Sequence, residues 1–310
     1  MGRAEGALAR VISRDRARQR ARGTTVIAAA LVTLYLVWGS TYLAIALSLE
    51  SFPPFLMGGV RFLVAGALLY GFLRLGGVPA PSAREWGGSA VVGFLLLLGG
   101  NGGVAFAEQT VASGVAAVVI AMTPILTAFF AGLLGRWPTR VEWVGLALGL
   151  AGVALLNTGG DLRAHPVGMV ALLAAATMWS FGSVVSGRLP QAPGMMATAA
   201  QLLTGGAWLM LVSLALGERM SGAPTARALG ALVYLVAVGS LVGYSTYIYL
   251  LGRVRPSLAT SYAYVNPIVA VALGFLFAGE PVTATMVLSM AAILGGVALV
   301  AVAKERKPER

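Results

Sequence analysis

The chain has 310 residues, of which 58% are apolar and only 11% charged, with a mean hydropathy of +0.85 and a formal net charge of +11. A soluble globule normally carries about twice that charged share, so this composition cannot wet its own surface. There is no cysteine, and the single histidine, His165, stands beside Pro166 in a short connector; thiolate and disulfide chemistry are excluded, no metal, cofactor or His-cluster site is expected, and an enzyme is not the reading that results.

In chain order, a basic tail comes first, residues 1–25, with seven arginines before position 23. Such a cluster suits anionic headgroups and membrane topology, and no nucleic-acid partner is expected. The apolar run that follows ends with a small-x-small triplet, Ala44-Ile45-Ala46, but it is too long for the core of a cleaved signal peptide and is read as a first span. Windows of about 20 apolar residues then give ten candidate helices: 26–47, 54–74, 87–107, 111–134, 141–157, 167–187, 197–216, 228–251, 256–277 and 283–303. A short tail, 304–310, closes the chain. No window alternates polar and apolar residues as a barrel strand does.

Several of these windows hold polar groups that lipid cannot satisfy. In the first, Trp38, Thr41 and Tyr42 share a side within "WGSTYLAIA", with Trp38 nearer the middle than an interfacial anchor would be. The second carries Arg61. In the third, Asn101, Ala105 and Glu108 recur at spacings of four and three; Glu108 reads as a headgroup-level carboxylate, as a partner for Arg61 at an outer gate, or as a proton-exchanging group. The fourth holds Pro124 and the sixth Trp179. In the eighth, Ser240, Tyr244 and Tyr247 make a partly polar stripe, and in the ninth Tyr262 and Asn266 share a face ahead of Pro267. Two readings of Asn266 stand, a contact to solute or water near a kink and a helix-to-helix hydrogen bond. Pro124 and Pro267 are the hinge or kink candidates.

Loop charge supplies an independent test of the count. With both ends cytoplasmic, 18 of the 22 basic residues fall inside, three outside and Arg61 within a span. That agrees with the positive-inside rule loop after loop.

The chain also echoes itself. Residues 114–138 match 257–281 at a constant offset of 143, which sets Pro124 against Pro267, and "GVALL" at 152–156 is answered by "GVALV" at 296–300. The expected organisation is two repeats of five spans, 26–157 and 167–303. Five is odd, so the second repeat must be inverted, an architecture that secondary transporters use to alternate access to a central site. No nucleotide-binding glycine loop follows a strand, which leaves a gradient or an exchanged solute to drive movement.

From "LVWGSTYLAIALSLESFPPFLMGGVRFLVAGALL" through "AEQTVASGVAAVVIAMTPILTAFF", "WVGLALGLAGVALLNTGG" and "MWSFGSVVSGRLP" to "RPSLATSYAYVNPIVAVALGFLFAGEP", the chain resembles the EamA family of the drug/metabolite transporter superfamily, of the bacterial inner-membrane type. The resemblance implies ten transmembrane helices in two EamA repeats, cytoplasmic termini, and efflux of amino acids, related metabolites or amphipathic toxic compounds. Trp38, Arg61, Pro124, Trp179, Pro267 and Glu280 match family-typical positions, whereas Trp137 stands where many first repeats place the counterpart of Glu280. Glu280 is read as an end-of-helix structural residue. The expected partners are a small-molecule solute, the lipid bilayer and, if Glu108 titrates, protons; a non-transporting receptor or scaffold is the alternative.

Overall fold

A computed structural model describes residues 2–111, 116, 119–156, 165–220, 222–269 and 283–303, with side chains from Gly23 onward except that of Tyr42. Their helices are α1 (Gly2–Leu49), α2 (Pro54–Leu75), α3 (Ala83–Gly93), α4 (Gly103–Ala107), α5 (Thr123–Leu133), α6 (Arg140–Leu156), α7 (Pro166–Val185), α8 (Met195–Ala215), α9 (Ala226–Tyr234), α10 (Ser245–Leu251), α11 (Pro256–Ala259), α12 (262–269) and α13 (Ala284–Val302). Two π-helical segments, Phe94–Gly102 and Leu235–Tyr244, join α3 to α4 and α9 to α10. The described residues hold no β-strand, and seven of their helices are long and apolar enough to cross a membrane.

The basic tail does not stand apart from the first span. α1 is one helix of 48 residues, because the alanine- and arginine-rich start is a strong helix former and no proline interrupts it. It stops where Pro53 and Pro54 forbid continuation; Pro54 then opens α2, where its missing N–H costs nothing. The free N–H groups behind it are capped from elsewhere: Phe55 and Leu56 donate to the Glu218 carboxylate at 3.3 and 2.7 Å, tying the turn after α1 to the turn after α8. α3 starts at a capping box in which Ser82 and Glu85 exchange hydrogen bonds. That box moves the start of the third apolar helix back from the expected 87 to Ala83.

Two spans expected as continuous helices are interrupted. A turn at 121–122 precedes α5, which Pro124 opens, and a turn at 260–261 separates α11 from α12. In the second break the Thr260 hydroxyl bonds back to Pro256 O and that of Ser261 to Leu258 O, competing with the main-chain ladder. Pro267 sits within α12; the end of that span, with Glu280, lies outside the described residues.

Helices meet through small residues. A Cβ on Gly145 of α6 would stand 2.7 Å from Gly296 O of α13, and one on Gly296 would stand 2.6 Å from Gly149 N. α2 meets α8 in the same manner at Gly66 and Gly206. Outward faces carry Phe72, Val170, Leu214 and Leu288, whereas Arg61, Gln201 and Asn266 are buried. This distribution, apolar outside and polar within, is the one a bilayer selects.

Candidate functional site

The centre of the bundle is aromatic. Trp38 of α1 packs against Trp179 of α7, Tyr247 of α10 and Tyr262 of α12, with ring centroids 5.5, 5.1 and 4.5 Å away. The edge-to-face geometry of the Trp38–Trp179 and Trp38–Tyr262 pairs suits the ring quadrupoles. Glycines make room for both indoles: a Cβ on Gly243 would fall 2.4 Å from Trp38 Nε1, and one on Gly100 would fall 2.4 Å from Trp179 Cε3. Both glycines belong to π-helical segments, and the Gly239 carbonyl of the second accepts the Trp38 indole N–H at 3.1 Å.

Beside this cluster lies a cavity of about 80 Å³. Trp38, Thr41, Arg61 and Asn101 line it from the first half of the chain, and Trp179, Tyr262 and Asn266 from the second. Arg61 is only 5% exposed. Its Nε donates to Ser240 Oγ at 2.8 Å, and its guanidinium carbon lies 4.7 Å from the ring centre of Phe62. Asn266, 4% exposed, has an amide oxygen with no hydrogen-bond donor. Its oxygen accepts no hydrogen bond from a neighbouring helix, so the helix-to-helix reading of this residue finds no support in that atom among the described residues.

The expected pair of Arg61 with Glu108 does not form. Arg61 turns to the second π-helical segment, while Glu108 sits at the C-terminal cap of α4, one residue beyond the apolar helix. Burial at that end pushes the Glu108 carboxyl up to about 7. The stripe expected from Ser240, Tyr244 and Tyr247 also divides. Ser240 meets Arg61, Tyr244 donates to Gln201 Oε1 at 2.9 Å, and Tyr247 bonds with Ser183. Neither tyrosine lines the cavity; Tyr247 packs against Trp38 and Trp179, which do. The stripe begins in a π-helical segment, where the turn closes i to i+5 and the face drawn at 3.6 residues per turn does not hold. The side chain of Tyr42 lies outside the described residues.

Two polar groups of consequence escaped the sequence reading. Gln201, 1% exposed, links Tyr244 to Gln191, and Gln191 in turn accepts from Ser89 at 3.1 Å. An isolated amide in the seventh apolar window was the available signal. Glu142, at the start of α6, pairs with Arg255 at 2.7 Å and accepts from Ser257. Arg255 also donates to the carbonyls of Val300, at 2.7 Å, and Ala303. A charge two residues from Arg140, at the start of the fifth window, gave no hint of a partner so far along the chain.

Comparison with known proteins gives these features a context. The model of the EamA-like transporter family matches residues 25–158 and again residues 166–302. The inner membrane transporter YedA of Escherichia coli (strain K12) is 44% identical over 91% of this chain and 92% of its own length. A probable terminal-alkyne amino-acid exporter of Streptantibioticus cattleyicolor is 26% identical over 81% of this chain and 85% of its own. A protein solved by crystallography shares the fold, with a TM-score of 0.75 at 23% identity, over 89% of this chain and 96% of that one.

Proposed function

The chain belongs to the EamA-like transporter family, and from that premise we propose that it is an inner-membrane exporter working by alternating access around the aromatic cavity. The proposed organisation is ten membrane helices in two inverted repeats of five, 26–157 and 167–303, with both termini in the cytoplasm. One observation carries the reading. The cavity takes Trp38, Arg61 and Asn101 from one family match and Trp179, Tyr262 and Asn266 from the other, so a rocking of one half against the other would change its access.

The paired features support the same view. The third span of each half contains a π-helical segment, and the fourth span of each half is interrupted. π-helical turns and broken helices recur at sites where backbone must change or serve a ligand. In this reading Trp38, Trp179 and Tyr262 wall the solute path, Asn101 and Asn266 meet the solute, and Pro124 and Pro267 mark the flexing points. Glu108 is the candidate for proton exchange. Tyr244 and Tyr247 brace the wall.

Cargo is proposed as a small amphipathic metabolite, amino acid or toxic compound, in keeping with the exporter named above. The test is flux in reconstituted liposomes, screening labelled amino acids and amphipathic amines with and without a pH gradient, beside Asn266→Ala. Saturable, competable flux that the variant loses supports the proposal. Equal flux in folded wild type and variant removes Asn266 from the path, and flux in neither, across the panel, counts against transport of these classes.

A further inference from the structure

Two arginines of the bundle stand in opposite circumstance, Arg61 buried and Arg255 half-buried. Arg255 is matched by Glu142 and by main-chain carbonyls. Arg61 is the more deeply buried and has less: its Nε is spent on Ser240, and among the described residues its terminal amino groups make no hydrogen bond and no carboxylate pairs with it. A guanidinium in a low-dielectric interior is costly without a counter-charge, and this one faces a cavity. Unpaired intramembrane charge persists where function uses it.

A second, independent group points into the same space. The Asn266 amide oxygen is buried without a partner, and the residue lines the cavity. The remaining wall is mostly indole, phenol and aliphatic, as at Trp38, Tyr262 and Ile120, with Asn101, Thr41 and Thr123 as its other polar side chains. Such a lining has a planar cation with unused paired donors, a free amide oxygen and apolar surface. Guanidinium donors match the two oxygens of a carboxylate in a fork, whereas an ammonium would be repelled.

We propose that the cavity takes its solute by a carboxylate, held by the terminal amino groups of Arg61, with the Asn266 amide oxygen left to accept from a donor elsewhere on the solute; this rests on the transporter reading above. At about 80 Å³ the cavity accommodates a carboxylate and a short chain in this conformation, and a longer body needs the aromatic wall to shift. The site therefore selects anionic or zwitterionic solutes over amines and neutral amides of equal size.

The test uses the purified full chain and three probes of one size, propionate, propionamide and propylammonium, followed through the fluorescence of the cavity indoles. A saturable response to propionate is expected, at least tenfold weaker for propionamide and absent for propylammonium. Arg61→Gln should weaken propionate binding at least tenfold, since a hydrogen bond to a charged group is worth a factor of about 10 or more, and Arg61→Lys should recover part of it. Propionamide or propylammonium binding as well as propionate, no response to any of the three, or undiminished binding in a folded Arg61→Gln would overturn the proposal. Should Arg61→Gln fail to fold, the comparison of the three probes on the wild type decides. The two readings part in the flux assay: saturable flux of amines but never carboxylates sinks the anion site and keeps the transporter, while carboxylate-selective binding with no carboxylate flux keeps the site and sinks the transport role.

Discussion

Arg61 is buried and Arg255 half-buried, and the protein treats the two charges differently. Arg255 is closed into a cluster that binds the start of α6, the start of α11 and the end of α13, with Glu142 only 3% exposed. Arg61, beside a cavity, is held by one neutral hydroxyl and the face of Phe62. A cation that is fully matched holds helices together; one left unmatched is available to something that enters. The difference divides the bundle into an end that is fastened and a centre that has interactions to spare.

The largest effect should come from unfastening the matched end. Glu142→Ala leaves Arg255 without its counter-charge and Ser257 without its acceptor, for an expected loss of about 3 kcal/mol, the low end for a broken buried pair because Arg255 retains some solvent. Thermal unfolding in detergent reads this, and an unchanged midpoint would mean that the end is not fastened by charge. Next comes the close approach of α6 and α13. Gly296→Ala puts a methyl 2.6 Å from main-chain atoms of both Gly145 and Gly149, where no side chain can yield, at a cost of about 1–3 kcal/mol. Disulfide trapping of those two helices would then become slower or fail.

Smaller effects belong to the centre. Ser240→Ala removes the hydroxyl that orients Arg61, for about 1–2 kcal/mol at most, since the guanidinium can turn to the cavity. Its consequence should be seen in solute affinity more than in unfolding; a variant that melts far earlier yet binds normally would reverse the comparison. The last is read against pH and concerns Glu108. Its carboxyl, raised by burial from 4.5 to about 7, binds a proton more firmly in the folded chain than in the unfolded one. Stability from this group is therefore full below the unfolded value and is lost as pH rises through about 7. Glu108→Gln should flatten the pH dependence of unfolding across that window, and of flux as well if the group exchanges the coupling proton.

Much of this arrangement was legible before any coordinates. Arg61 and Asn266 stood out because a guanidinium or an amide in an apolar helix has to find protein or water, and Trp38 because it lay too deep for a headgroup anchor. The interrupted fourth span was signalled by Pro124, whereas the ninth breaks at 260–261, where the Thr260 and Ser261 hydroxyls bond main-chain carbonyls, and Pro267, the expected kink, lies within α12. What sequence reasoning could not supply was winding. The stripes at Asn101–Glu108 and Ser240–Tyr247 assumed 3.6 residues per turn, whereas both begin in π-helical segments that are apolar and glycine-containing like their neighbours. Partners far apart in the chain were equally hidden. Nothing local marks Glu142 for Arg255, or Gln201 for Tyr244, because those meetings depend on how whole helices pack.

The chain has no cysteine, which makes the most direct test simple. Single cysteines at Asn101 and Thr123, which line the cavity, and at Leu146, sealed between α6 and α13, are exposed to a membrane-impermeant thiol reagent in right-side-out and inverted vesicles. Alternating access through the cavity predicts that Asn101→Cys and Thr123→Cys react from both sides, at rates that solute changes, while Leu146→Cys reacts from neither. Cavity cysteines that stay unreactive from both faces, in protein that is folded and inserted, would contradict the account.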